Sequence, residues 1–143
     1  MSPKSVESFF KSESRYRILV ENSCDIIFSL DLDGTFTYVS PAWSTLLGHT
    51  TPNVVGHKFR EFIHPEDALR CESAIRTSIK TSSALEMTYR IHHIDGCWRW
   101  HNSRGTPHVD ENGMMTVIGM AHDITERLRI EEIMTQTEKM ILL

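Results

Sequence analysis

No stretch of this 143-residue sequence approaches the roughly 18 to 20 apolar residues that a helix needs to cross a bilayer. Membrane contact by this segment is therefore not expected, and the polar start Met1-Ser2-Pro3-Lys4-Ser5 lacks the form of a secretory leader. Cysteine is scarce: Cys24, Cys71 and Cys97 stand far apart, with no Cys-x-x-Cys pair. Such a set fits free thiols in a reducing cytosol better than a disulfide framework. It also lacks the ligand spacing of a zinc site or of covalently attached haem. Positive charge is not concentrated either. The chain has 15 Lys and Arg against 19 Asp and Glu, for a net charge of -4 spread along its length. A nucleic-acid surface needs clustered cations, so no nucleic-acid partner is expected. There is no glycine-rich phosphate loop and no Gly-x-Ser-x-Gly elbow. Asp31, Asp33 and Asp95 are accounted for by turns, so no acid–base pair stands out. The expectation is one cytoplasmic domain without catalytic chemistry of its own, whose longer parent is free to be membrane-anchored.

The hydrophobic fraction of 40% is enough for a real core. Val6, Phe9, Phe10, Tyr16, Leu19 and Val20 recur at helical spacing and predict an amphipathic helix up to Glu21, with a break at Asn22-Ser23. Two strands follow, Asp25 to Leu30 and Thr35 to Val39, joined at Asp33-Gly34 by a predicted type I′ turn. Ser40 is the expected N-cap of a short helix with Pro41 at its first position, and Gly48 its left-handed stop. Short turns over Thr50 to Gly56 and Phe59 to Ile63 precede a longer helix starting at His64-Pro65-Glu66-Asp67. That helix should run to about Lys80 and bury Leu69, Ala74, Ile75 and Ile79.

Leu85 to Ile94, Cys97 to Val109 and Met114 to Ile124 read as three further strands, turning at Asp95-Gly96 and at Asp110 to Gly113. A last helix leaves from Asp123 or Thr125, with Asp123 and Glu126 at capping-box spacing. The class is α+β: a five-stranded antiparallel sheet with helices on one face, flanked by N-terminal and C-terminal amphipathic helices. The division is an N-terminal helix over 1–22, a core over 23–125 and a terminal helix over 126–143. The space between sheet and helices is the expected place for a ligand pocket.

Several motifs occur in an order that resembles the PAS domain family. The Asp31-Leu32-Asp33-Gly34 turn, Tyr38-Val39-Ser40-Pro41-Ala42 and Leu46-Leu47-Gly48 look like its opening. Phe62-Ile63-His64-Pro65-Glu66-Asp67 resembles the start of its long helix. Trp98-Arg99-Trp100, Gly119 and Asp123-Ile124-Thr125-Glu126-Arg127 resemble its last strands and exit. The match spans roughly Tyr16 to Glu132. The run Gln136 to Met140 is similar to the segment before the dimerisation helix of sensor histidine kinases, which implies that the chain stops short of a phospho-accepting His.

The resemblance implies a sensory input module with a signal-exit motif at Asp123, Ile124 and Thr125. Ile130, Met134, Thr137 and Ile141 form the expected dimer seam of the exit helix. Expected partners are a second copy of the chain, a kinase or other output domain in cis, and a small molecule in the pocket. From strand alternation and the long helix, the pocket candidates are Ile27, Phe36, Leu69, Met87, Tyr89, Trp98, Trp100 and Met120; a strand register slip of one would exchange the strand residues for their neighbours.

The identity of any cofactor stays open, and none is required. Haem-binding members take a His from the long helix, and Glu66 to Lys80 contains none, so haem is not expected; His92 and His93 are adjacent in a strand and point to opposite faces, so no metal site is expected either. Covalent flavin is not expected because Gly56 to Ile63 has no Cys. Arg99 and Arg104 are expected to face water. Three rival readings remain: a ligand-free dimerisation relay, a diguanylate cyclase as output, and a small α+β enzyme.

Overall fold

The computed structural model describes residues 14–21 and 24–142. Helix α1 covers residues 14–21; the earlier part of the helix expected from Val6, the Asn22-Ser23 break and Leu143 lie outside the described residues. Strands β1 (Ile26–Leu30) and β2 (Phe36–Val39) lead to α2 (Ala42–Leu47), short 3-10 turns at Thr51–Asn53 and Phe59–Glu61, and α3 (Pro65–Thr81). Then come β3 (Leu85–His92), β4 (Trp98–Val109), β5 (Met115–Asp123) and α4 (Thr125–Leu142). The strands form one antiparallel sheet in the order β2-β1-β5-β4-β3, as the α+β reading expects. The last strand therefore lies at the centre, between β1 and β4.

Period-two alternation sorts the sheet into two faces. Ile26, Phe28 and Leu30 of β1, Met87, Tyr89 and Ile91 of β3, and Val117 and Ala121 of β5 are buried. With them are buried Trp43, Leu47, Phe59, Phe62, Cys71 and Ile75 from the helical segment. Phe36, Trp43 and Phe62 meet edge to face, with ring centroids 5.0 to 6.1 Å apart. Phe28 stands opposite Gly119 in the register, where a Cβ would come within 2.5 Å of the Phe28 ring. The glycine makes room for a large aromatic under the central strand.

Helix α3 starts with Pro65, its free amides met by the His64 ring, whose Nδ1 accepts from the Glu66 amide at 3.1 Å. Its buried residues are Asp67, Cys71, Ile75 and Ser78, spaced four, four and three apart. Leu69 does not belong to that stripe and is 75% exposed, which corrects the expectation that the helix buries it. Ala74 and Ile79 are half-buried against the core.

Two local expectations also change. Ser40 does not cap α2: its Oγ accepts from the Ile27 amide at 2.9 Å, stitching the end of β2 to β1 instead. The β1–β2 connection is no type I′ turn, which needs two residues at positive φ. Only Gly34 has one, at 79°, and the Asp31 carboxylate accepts from the amides of Asp33 and Thr35 at 2.9 and 3.0 Å. Gly48 closes α2 with φ 88°, as expected. Among the described residues, no helix is long and apolar enough to cross a membrane.

Candidate functional site

The interior cavity lies between the sheet and α3. Its walls include Phe28, Phe36, Trp43, Cys71, Ile75, Met87, Tyr89 and His101, and its volume is about 30 Å³. That space suits one or two waters. Burial pushes the Cys71 thiol up to about 11, although Arg70 pulls the other way, so the sulfur stays protonated and unreactive at neutral pH. Burial likewise pushes Tyr89 up to about 12, and its hydroxyl shares a hydrogen bond with Ser103.

Of the eight residues expected around a pocket, the cavity gathers Phe36, Met87 and Tyr89. Ile27 and Met120 point the other way, into a groove shared with Tyr16, Leu19 and Val20 of α1. Trp98 and Trp100 share a face, as period two requires, but it is the outer one. Trp98 is 40% exposed and meets the His64 ring at a tilt, with centroids 4.6 Å apart, while the Arg90 guanidinium sits 5.3 Å over Trp100. Leu69 lies in solvent. Inside, β1 presents Ile26 and Phe28, β4 His101 and Ser103, and β5 Ala121, in place of the neighbours that were expected. The parity was wrong in three strands: in β4 and β5 the bulkier side chains sit outside, and in β1 three consecutive apolar residues leave the inner face unmarked.

His101 is the residue that the sequence reading missed. It is fully buried, borders the cavity, and makes no aligned hydrogen bond through either ring nitrogen. Only a strict count of register from the buried positions of β3 would have pointed it inward.

The second part of the site is the junction of β5 and α4. Arg99 Nε donates to Asp123 Oδ2 at 3.0 Å, and the Thr125 amide donates to Asp123 Oδ1 at 2.9 Å. Arg99 is thus held at this junction rather than merely facing water, while Arg104 is exposed beside Glu86. The Trp100 amide donates to Thr125 Oγ1 at 2.8 Å, and the Ile124 amide donates to the Trp100 carbonyl at 2.8 Å. Ile124 and Thr125 are buried. Burial alone would raise the Asp123 carboxyl, but His101, the Thr125 amide and Arg99 outweigh it and hold it well below the usual carboxylate range. Glu126 turns away from the capping box and stands 3.8 Å from Arg129. The expected exit residues Asp123, Ile124 and Thr125 therefore form one hydrogen-bonded knot on β4. Beyond it, Ile130, Met134 and Ile141 of the expected seam are exposed, and Thr137 is tied to the Ile133 carbonyl.

A third constellation braces the edge strand. Asp67 accepts from the Arg90 amide at 2.8 Å and from its guanidinium at 3.0 Å through each carboxylate oxygen. These bonds hold the Asp67 carboxyl down at about 2 against the raising effect of burial.

A family model described as PAS fold matches residues 36–121, and the chain belongs to the PAS family, a class of sensory input domains. An uncharacterised protein of Sinorhizobium fredii is 26% identical over 139 residues, covering 96% of this chain and 17% of that protein. The PAS domain of an HTR-like protein from Haloarcula marismortui superimposes with a TM-score of 0.73 at 23% identity, covering 86% of this chain and 100% of the other. A sensory box histidine kinase/response regulator from Burkholderia thailandensis gives 0.66 at 22% identity, covering 89% and 97%. The chain spans at most 17% of the length of the curated relatives it matches.

Proposed function

We propose that the chain is the input module of a longer signalling protein, dimeric through α4, which drives an output domain in cis. In this reading residues 1–22 are an N-terminal segment, 23–125 the sensory core and 126–143 the output segment. The observation that carries this reading is the unbroken passage from β5, the central strand, into α4 through the Asp123–Thr125 knot. A displacement of the sheet cannot reach the described part of α4 without stressing those bonds. Two such helices, joined along Ile130, Met134, Thr137 and Ile141, turn that motion into a change between subunits. A histidine kinase is the favoured output, because the domain resembles those of sensor kinases and because of the Gln136 to Met140 run. A cyclase would be driven through the same exit.

The test is made in the full-length protein that carries this segment. Asp123→Asn and Thr125→Val should change output activity in both resting and stimulated states while the core retains its melting temperature within a few degrees. Unaltered output in both variants would remove the relay. Sedimentation equilibrium of the chain should give a dimer, converted to monomer by Ile130→Glu with Ile141→Glu. A monomer before substitution would refute the dimeric part.

A further inference from the structure

Trp43, His49 and His92 stand in line where the end of α2 meets the end of β3. Trp43 Nε1 donates to His49 Nδ1 at 3.1 Å, and His49 Nε2 lies 3.3 Å from His92 Nδ1. An indole N–H can only donate, so His49 Nδ1 carries a lone pair and the His49 proton sits on Nε2. That proton meets His92 Nδ1, which must accept it, and this leaves the His92 proton on Nε2. One arrangement of protons satisfies the chain, and both imidazoles are neutral in it. An added proton has no place there. On His49 Nδ1 it would face the indole N–H; on His92 Nδ1 it would face His49 Nε2–H across 3.3 Å. Either uptake breaks a bond of the chain. Burial first, then the neighbouring His92 and His93, hold the His49 ring below the ordinary imidazole value of 6.5. Phe62 covers His49 with an uncharged ring. Among the described residues no carboxylate pairs with either imidazole. Asp95 of the following turn is taken by His93 at 3.0 Å, and His64, at the start of α3, meets Trp98 as His92 does.

The chain spans a seam of the fold. Trp43 and His49 belong to α2 and the loop after it, His92 to the edge strand β3. The same seam is closed by the Ile94 amide, which donates to the Leu47 carbonyl at 2.9 Å. Gly48 lies so close to Ile94 that a Cβ there would come within 2.3 Å of Ile94 Cγ2. We propose that Trp43, His49 and His92 form a proton-operated latch, closed while both imidazoles are neutral and opened by proton uptake, which frees the end of α2 from the β3–β4 turn. Because folding holds His49 below its unfolded value, the stabilisation by the latch is complete above about pH 6.5. It falls away as pH drops through the range beneath. The latch acts at the far side of the helical segment and does not depend on the relay through α4.

The test is a titration of the ¹⁵N-labelled chain from pH 7.5 to pH 5. At the upper end, long-range ¹H–¹⁵N spectra should place the ring protons of His49 and His92 on Nε2. On acidification the Trp43 indole N–H and the Ile94 amide should shift together, in one transition with its midpoint below about pH 6.5. Exchange of the Ile94 amide, corrected for its intrinsic pH dependence, should quicken at least tenfold across that transition. His92→Asn keeps an acceptor near the position of Nδ1 and takes up no proton. It should lower the midpoint by about half a pH unit or more and leave the α2 signals at pH 7.5 in place. His93→Asn, adjacent but outside the chain, should leave the two signals moving together. If His92→Asn does not fold, the tautomers and the coincidence of the two shifts in the unaltered chain decide alone. A His49 proton on Nδ1, an indole signal unmoved down to pH 5, or separate midpoints for Trp43 and Ile94 would each overturn the latch. So would a His92→Asn transition at the parental midpoint.

Discussion

Helices α3 and α4 are nearly equal in length, at 17 and 18 residues, and both carry apolar side chains at helical spacing. They meet opposite fates. Helix α3 lays Asp67, Cys71, Ile75 and Ser78 against the sheet, whereas α4 buries Thr125 alone among its described residues. Ile130, Ile133, Met134, Met140, Ile141 and Leu142 are all more than half exposed. The stripe on α3 is satisfied within its own chain. The stripe on α4 has its anchor here and the rest of its surface turned outward. Apolar spacing therefore predicts that a helix wants a partner, but not whether its own domain provides one.

The sharpest way to break this comparison is to shorten an apolar side chain on each helix. Ile75→Ala opens space beside the cavity and should cost about 2 to 5 kcal/mol in urea denaturation. An equal loss at Ile133→Ala, measured in monomer at high dilution, would contradict the division between the helices. Next in size is the brace at the start of α3. Asp67→Asn should cost about 1.5 to 3 kcal/mol by weakening its charge-assisted bonds to Arg90. Because the folded carboxyl is lowered from 3.8 to about 2, its contribution is fully present above the unfolded value. It is lost as pH falls through the folded one. Melting temperatures followed from pH 5 to pH 2 should fall less steeply in the variant than in the parent chain.

At α4 the effects become local. Thr125→Val leaves the Trp100 amide without its hydroxyl acceptor and should cost about 1 kcal/mol. Hydrogen exchange should quicken in the first turn of α4 and stay unchanged in α3. Acceleration in both helices alike would mean that the knot belongs to the core rather than to the exit. The smallest effect is expected at Ile141→Glu, within about 0.5 kcal/mol for the monomer. That substitution sharpens the contrast if it lowers the dimer fraction in sedimentation while leaving monomer stability untouched.

The element order, both Asp-Gly connections and the exit at Asp123 were legible in the sequence, because turns and breaks leave local signals. Which face of each strand turns inward was not. In β1, Ile26, Ile27 and Phe28 are all apolar, the odd one out being Ile27, which faces the α1 groove. In β4 the tryptophans lie outward over Arg90 and His64, while His101 and Ser103 go in. Residue type pointed one way, and the neighbouring strands decided the other. Leu69 failed for a related reason. Asp67 occupies the buried stripe because Arg90 meets it there, and a reading that places carboxylates in solvent rotates the helix face. Ser40 shows the same limit at shorter range. Its hydroxyl had a plausible partner in the next helix, but tertiary pairing offered the Ile27 amide instead.

The three tryptophans occupy three different media. Trp43 is sealed at 2% exposure, Trp100 lies beneath a guanidinium, and Trp98 leans outward at 40%. Intrinsic fluorescence can therefore be divided by an anionic quencher such as iodide, which reaches the Trp98 indole and spares the Trp43 indole. The unquenched emission then reads the interior without any attached dye.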